Sequence, residues 1–303
     1  MDDGGDVIER KYEVKRVLEV GGRSTLLEAI ERDSERFVFI ELFRPFRSNA
    51  DRERFLRDQR LVAELRSPHA VRVFDSGVRA DGMTYVVSEV LEGESLETAL
   101  RRHGPLPLGR VVELMLQLCG LLEEAHTASL VHGAIGPENL FVTYHPDGSS
   151  FLKLREFGAC SAIPALVEGQ RPSEAPGSAP EQLTGAAPDD PRTDIWALGA
   201  TMYELCCGRH PTRGASPSAQ IISLSQLRPG LPVTFGEAVM CCLSTVPMDR
   251  YPSAAEVAEA IARFGPSRGH GVASAVRGVL AAGATRLRSS TEIVRQMVRQ
   301  RKP

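Results

Sequence analysis

His132-Gly133-Ala134-Ile135-Gly136-Pro137-Glu138-Asn139 decides how this chain is read, together with Glu156-Phe157-Gly158, which begins seventeen residues after Asn139. Two glycines and a proline break the octapeptide, so it reads as a loop. It follows apolar residues at 111, 112, 114, 115, 118, 121 and 122, the stripe of a buried helix over Val111 to Ala128. After it, two short β-type runs bracket a His-Pro-Asp-Gly turn at 145–148, and the second run leads into Glu156. Between Val131 and Asn139 the only acid is Glu138.

Working outward, residues from about Tyr12 to Val90 alternate in short β-type runs: Tyr12 to Leu18, a glycine turn at Gly21-Gly22, Ser24 to Ile30, and Arg36 to Phe43. Asp51 to Leu65 breaks this with helical spacing at Phe55, Leu61, Val62 and Leu65, and Pro68 stops it. Val71 to Ser76 and Met83 to Val90 return to strand. This predicts a five-stranded sheet with one long helix. From Ser95 onward helices dominate, with further ones expected at Asp194 to Cys207, Phe235 to Leu243 and Ala254 to Phe264. Arg171 to Pro180, rich in Pro, Ser and Gly, is expected to be a mobile loop. A small sheet lobe followed by a larger helical lobe is an α+β architecture. The expected divisions are a flexible acidic end (1–11), the sheet lobe (12–90), the helical lobe (91–265) and a basic, partly helical tail (266–303).

The 303 residues suffice for a full hydrophobic core. A formal charge of -3 implies no general pull toward nucleic acid. The charge is uneven, however: residues 266–303 carry +7, leaving about -10 on the rest. The six cysteines form no C-x-x-C pair and read as small buried thiols of a reducing compartment. An acidic start with no leader pattern, and no apolar run near the ~18 residues of a membrane span, give a cytoplasmic expectation, membrane-peripheral through the tail at most.

Taken together, the landmarks resemble those of the eukaryotic-like (Hanks-type) Ser/Thr protein kinases of bacteria, over residues 12 to about 264. The match rests on Val38-Phe39-Ile40-Glu41, Ser88-Glu89 as gatekeeper and hinge, His132, Asn139, Phe157-Gly158, Ala179-Pro180-Glu181, Asp194 to Gly199, and Arg250. The resemblance implies a bilobal kinase-like fold. It also implies structural roles: Glu181 paired with Arg250, Asp194 holding the loop backbone, and a column of Val73, Val62, Phe157 and His132 standing on Asp194. His132 is expected as a packed structural histidine rather than an acid–base group.

The positions that carry chemistry in this family are altered. Its phosphate-binding lysine is Glu41 here, and the helix glutamate that pairs with it is Asp58. Two carboxylates at ~4 Å would repel by roughly 4 kcal/mol at an effective dielectric near 20. A displaced helix, or Arg57 or Arg60 turned inward, is therefore expected. The first glycine of the phosphate loop is Glu19. The catalytic Asp is Ala134, which cannot supply general-base help worth 10²–10⁴-fold, and the phosphate-steering Lys is Gly136. The metal-binding Asp is Glu156, so Asn139 and Glu156 are the only remaining candidates to hold a metal. The alanine over adenine is Phe39, facing Phe141 and Leu26. Filling the adenine slot with phenyl groups would bury apolar surface worth ~1.5–3 kcal/mol per ring; the other reading packs Phe39 elsewhere.

Arg23 is the one conceivable relocated phosphate-binding cation, and Lys153 is expected to face solvent. The acids Glu19, Glu41, Asp58 and Glu156 have three readings: separate and solvated, neutralised by arginines, or a site for a cation or basic peptide. In the tail, Ser289 to Glu292 fits a capping box. The apolar stripe that follows, among arginines, suits the protein body, an acidic partner or an anionic membrane surface. The leading expectation is a pseudokinase: a vestigial cleft (Leu26, Phe39, Ser88, Glu89, Phe141), no cofactor, and a protein partner such as an active kinase. The alternative is a weak ATP- and Mg-dependent Ser/Thr phosphotransferase using Glu156 and Asn139.

Overall fold

The structure, a computed structural model, describes residues 7–22, 24–46, 48–144, 150–158, 178–183, 190–212 and 220–265. The expectations for Arg23, Cys160, most of the 171–180 loop and the tail from 266 lie outside them. The first sheet contains β1 (Val7–Ile8), β2 (Tyr12–Val20), β3 (Ser24–Glu31), β4 (Arg36–Phe43), β5 (Val73–Val78) and β6 (Thr84–Glu89), in the order β1-β2-β3-β4-β6-β5. All of its pairings are antiparallel. It has six strands instead of five because Val7 and Ile8 pair with Glu13 and Tyr12. Ile8 is thereby buried beside Tyr12, so Val7 and Ile8, within the stretch expected to be a flexible end, belong to the sheet; residues 1–6 lie outside the described residues.

Strand alternation sets what faces the cleft. In β4, Val38, Ile40 and Leu42 point into the core, which leaves Phe39 and Glu41 together on the other face. Helix α1 (Asn49–Glu64) starts where the Ser48 hydroxyl accepts the Asp51 N–H at 3.1 Å, and it ends at an extended Leu65 before Pro68. It buries Phe55, Asp58, Gln59 and Val62.

The second lobe begins with β7 (Glu94–Ser95), α2 (Leu96–His103) and α3 (Leu108–Thr127). It continues with the hairpin β8 (Leu140–Tyr144) and β9 (Ser150–Leu154), then α4 (Pro180–Leu183), α5 (Arg192–Cys207), α6 (Leu224–Leu227), α7 (Val233–Cys242) and α8 (Ala254–Ile261). Its core is one cluster around α3 and α5, and Val62 of α1 and Phe157 belong to the same cluster. Helix α5 is buried along almost its whole length and stops at Gly208, whose φ of 78° is left-handed. Cys119, Cys206 and Cys242 are buried, as expected, whereas Cys207 and Cys241 are half-buried; burial raises the pKa of all five. Among the described residues no helix is long and apolar enough to cross a membrane.

The linker between α1 and β5 fastens one lobe to the other. The Arg66 and Ser67 N–H groups donate to the Glu124 carboxylate on α3 at 2.7 and 2.8 Å. Val71 N–H donates to the Leu154 carbonyl at 3.0 Å, and Leu154 N–H to the His69 carbonyl at 2.8 Å. The cleft therefore opens between β3, β4 and β6 above and β8, β9 and residues 132–139 below.

Candidate functional site: the cleft between the lobes

The loop 132–139 is held from below by Asp194, in the first turn of α5 and fully buried. Its carboxylate accepts His132 N–H at 2.9 Å, Gly133 N–H at 2.8 Å and His126 Nε2 at 2.8 Å. Burial alone would push the Asp194 pKa up; the hydrogen bond and charge of His126, with His132 and the Gly133 amide, bring it below the ordinary value. The Ala134 N–H donates to His132 Nδ1 at 3.1 Å, so Nε2 carries the proton and donates to the Arg155 carbonyl at 2.8 Å. Both ring nitrogens are engaged, and burial lowers the His132 pKa. The ring packs edge-on to Phe157 at 4.7 Å, and the Phe157 carbonyl accepts Gln59 Nε2 at 2.8 Å. Val62 belongs to the same core cluster as Phe157, and Val73 packs against that cluster. Glu181 and Arg250 form a bidentate pair at 2.6 and 2.7 Å, with Arg250 buried.

Among the positions to which the resemblance assigned chemistry, Ala134 contributes only a methyl group, and its carbonyl accepts Asn139 Nδ2 at 3.0 Å. At Gly136, a Cβ would lie 2.6 Å from Glu138 Oε2, so that carboxylate covers the place where a steering side chain would begin. Glu156 has a φ of 66°, a left-handed conformation that costs a non-glycine residue roughly 1–2 kcal/mol.

Glu41 accepts the Ser24 hydroxyl at 2.5 Å and lies 3.7 Å from Arg155 Nη2. The same guanidinium group meets Glu156 at 2.5 Å. Burial, then repulsion by Glu156, push the Glu41 pKa up to about 7, against the pull of Arg155 and Ser24. Burial works against the charge on Arg155, but Glu156, Glu41 and Glu19 outweigh it and raise its pKa.

Two expectations change here. The strongest repulsion on Glu41 comes from Glu156, not from Asp58. Asp58 instead lies against Gly158, where a Cβ would be 3.2 Å from Oδ2, and it pairs with Arg57 at 3.3 Å. Its pKa is raised by burial, with Arg57 acting in the opposite direction. Lys153 does not face solvent. Its ammonium lies 2.5 Å from Glu89 and donates to the Ala70 carbonyl at 3.1 Å. Of the three readings of the acidic cluster, pairing with arginine describes Glu41 and Glu156, which share the single cation of Arg155, and Asp58 with Arg57; it is incomplete, since the pKa values of Glu41 and Asp58 stay raised.

The inner end of the cleft is a cavity of about 210 Å³ lined by Leu26, Phe39, Ser88 and Phe141 and running on to Phe55 and Phe157. Small-molecule sites usually offer roughly 300–1,000 Å³. Phe39 and Phe141 both line it, yet they form no ring pair among the described residues. The outer end, about 650 Å³, is lined by Glu19, Glu41, Glu94, Glu97, Glu138 and Glu156 against Arg101 and Arg155. Among the described residues there is no group of three or more His, Cys, Asp or Glu placed to hold a metal.

The residues that sequence reasoning missed are Arg155, Lys153 and Gln59. A usable signal existed for the first two. Strand β9 alternates with Ser150, Leu152 and Leu154 buried in the helical lobe, which directs 153 and 155 to the opposite side, toward the cleft.

Comparison with known proteins agrees with this geometry. The family described as "Protein kinase domain" matches residues 12–239. The chain is 31% identical over 261 residues to the serine/threonine-protein kinase PknH of Mycobacterium bovis, covering 82% of this chain and 43% of that one. It is 31% identical over 263 residues to the serine/threonine-protein kinase PknL of Mycobacterium tuberculosis, covering 82% and 64%. The chain thus spans less than two thirds of the length of either relative. The crystal structure of the M. tuberculosis PknI kinase domain superposes with a TM-score of 0.72 at 26% identity, over 86% of this chain and 98% of that one. The fold, the Asp194 and Glu181–Arg250 anchors and these matches place the chain in the protein kinase family, among the bacterial Hanks-type Ser/Thr kinases.

Proposed function

We propose that this member of the family is catalytically inactive and works as a protein-binding scaffold or regulator in signalling. The observation that carries this reading is Ala134: where the family's catalytic carboxylate would stand there is a methyl group, and the nearest polar atom of that residue is already bonded to Asn139. Without a base the substrate hydroxyl keeps its proton, and help worth 10²–10⁴-fold is missing.

The donor set also fits a magnesium-bound triphosphate poorly. Six carboxylates line the outer cleft, and the guanidinium of Arg155 already holds Glu41 and Glu156. A triphosphate entering there meets like charge, and a metal must displace Arg155 from Glu156. No nucleotide or metal is therefore required by the reading. A protein partner, such as an active kinase, would be met by the outer surface of the helical lobe.

A second reading, weak phosphotransfer with Glu156 and Asn139 holding the metal, draws support from the names of the relatives, which are kinases. One experiment separates the two. Purified protein is incubated with labelled ATP and Mg²⁺ or Mn²⁺, beside Asn139→Ala, and in parallel is melted across an ATP titration. The scaffold reading expects background incorporation in both proteins and no nucleotide-dependent stabilisation. Robust incorporation by the parent, lost in Asn139→Ala, would overturn it.

A further inference from the structure

We propose that Lys153 and Arg155 form a two-point ionic clasp that holds the sheet lobe down on the helical lobe with nothing bound between them. The inference concerns how the lobes are joined and stands whether or not the protein transfers phosphate.

Both cations come from one short piece of chain. Lys153 is the penultimate residue of β9 and Arg155 follows its end, so the two side chains leave on the same side. Both are mostly withdrawn from solvent, with side chains 15% and 17% exposed. Their partners, Glu89 and Glu41, lie on the adjacent strands β6 and β4 of the other lobe. The partners are similarly sheltered, at 18% and 13%. Lys153 reaches Glu89 at the point where the chain crosses between lobes, and it also donates to the Ala70 carbonyl in the other crossing segment. Glu89 is itself fixed by the Arg72 N–H at 2.8 Å. Arg155 reaches Glu41 deeper in the cleft at 3.7 Å while Glu156 of its own lobe holds the same guanidinium at 2.5 Å, so this is the longer and shared point of the clasp. Phe141 separates the two contacts: it is the register partner of Lys153, and its ring lies 5.8 Å from the Arg155 guanidinium carbon.

Exposed ion pairs contribute little and are screened by salt, but sheltered pairs are screened much less. Two such pairs, one at the hinge and one at the inner cleft, oppose rotation of the lobes about either point alone. The clasp keeps the two lobes of the free protein in contact at these points.

Hydrogen exchange of the ligand-free full chain tests this, read at residues 88–93 and 69–73, with small-angle scattering for the overall dimension. In a Lys153→Met, Arg155→Met variant, which keeps the aliphatic bulk and removes both charges, exchange at these segments should rise about tenfold or more and the radius of gyration should grow. Exchange within twofold of the parent, in a variant with unchanged far-ultraviolet circular dichroism, overturns the proposal. Should that variant not fold, the comparison is Lys153→Arg with Arg155→Lys, which keeps charge and alters shape, against each single Met variant. Exchange that follows charge supports the clasp; exchange that is equal in all of them sinks it.

Discussion

Glu41→Gln should make this protein more stable, and only above mildly acidic pH. Four groups face the Glu41 carboxyl: the Ser24 hydroxyl, the Arg155 guanidinium, and the carboxylates of Glu156 and Glu19. Their sum, with burial, leaves its pKa at about 7 against an ordinary 4.5. A carboxyl group with a raised folded pKa binds its proton more tightly in the folded than in the unfolded chain. Stability therefore falls as pH rises from about 4.5 to about 7, and is flat beyond. At 1.36 kcal/mol per unit, the gap corresponds to roughly 3 kcal/mol. Glutamine keeps the shape and an oxygen for the Ser24 hydroxyl but never ionises. The two proteins should have nearly equal stability at pH 4.5, and Glu41→Gln should lead by up to roughly 3 kcal/mol at pH 8. Urea unfolding across pH 4.5–8.5 reads this, because carboxyl groups remote from Glu41 cancel in the difference and only its coupled neighbours Glu156 and Glu19 titrate differently in the variant. A difference that does not change with pH, or a parent that is the more stable at pH 8, would refute the electrostatic account of the cleft.

Other perturbations address the anchors. Arg250→Ala leaves Glu181 sheltered without its bidentate partner and also removes donors to the Arg192 and Ser244 carbonyls. It should cost about 3–5 kcal/mol in a denaturation midpoint experiment. Asp194→Asn replaces one of the two acceptor oxygens by a donor, set against backbone N–H groups and His126. A loss of roughly 1.5–3 kcal/mol by the same method is expected, with faster amide exchange at His132 and Gly133.

How much of this was legible in the sequence follows from what each feature needs. The helix at α5, the Glu181–Arg250 pair and the loop from His132 to Asn139 occupy fixed places along the chain, so register alone located them. The added strand β1 was not visible because two residues, Val7 and Ile8, carry too short an alternation to count. Arg155 and Lys153 lie one residue either side of Leu154, and their partners across the cleft, Glu41 and Glu89, are more than sixty residues away in sequence. No local pattern says which acid a cation will meet across a cleft. Gln59 is similar: it sits next to Asp58 on α1, and only the rotation of the helix shows that the amide, not the carboxylate, reaches Phe157.

On the proposed reading parts of a catalytic centre persist without its chemistry, and the same geometry gives a reason. His132 is held by three fixed contacts, to Asp194, Ala134 and Arg155, and none of them requires a substrate. Asn139 spends its amide N–H on the Ala134 carbonyl, closing the loop on itself. Glu156 is the counter-charge of Arg155. Each survivor has a task in the folded protein that would preserve it without catalysis. By contrast, Ala134 and Gly136 take part in the loop through backbone alone, so a side chain lost there costs the fold little. The presence of Asn139 and Glu156 is accordingly weak evidence for a metal, while Ala134, where only chemistry would demand a carboxylate, is the more informative position.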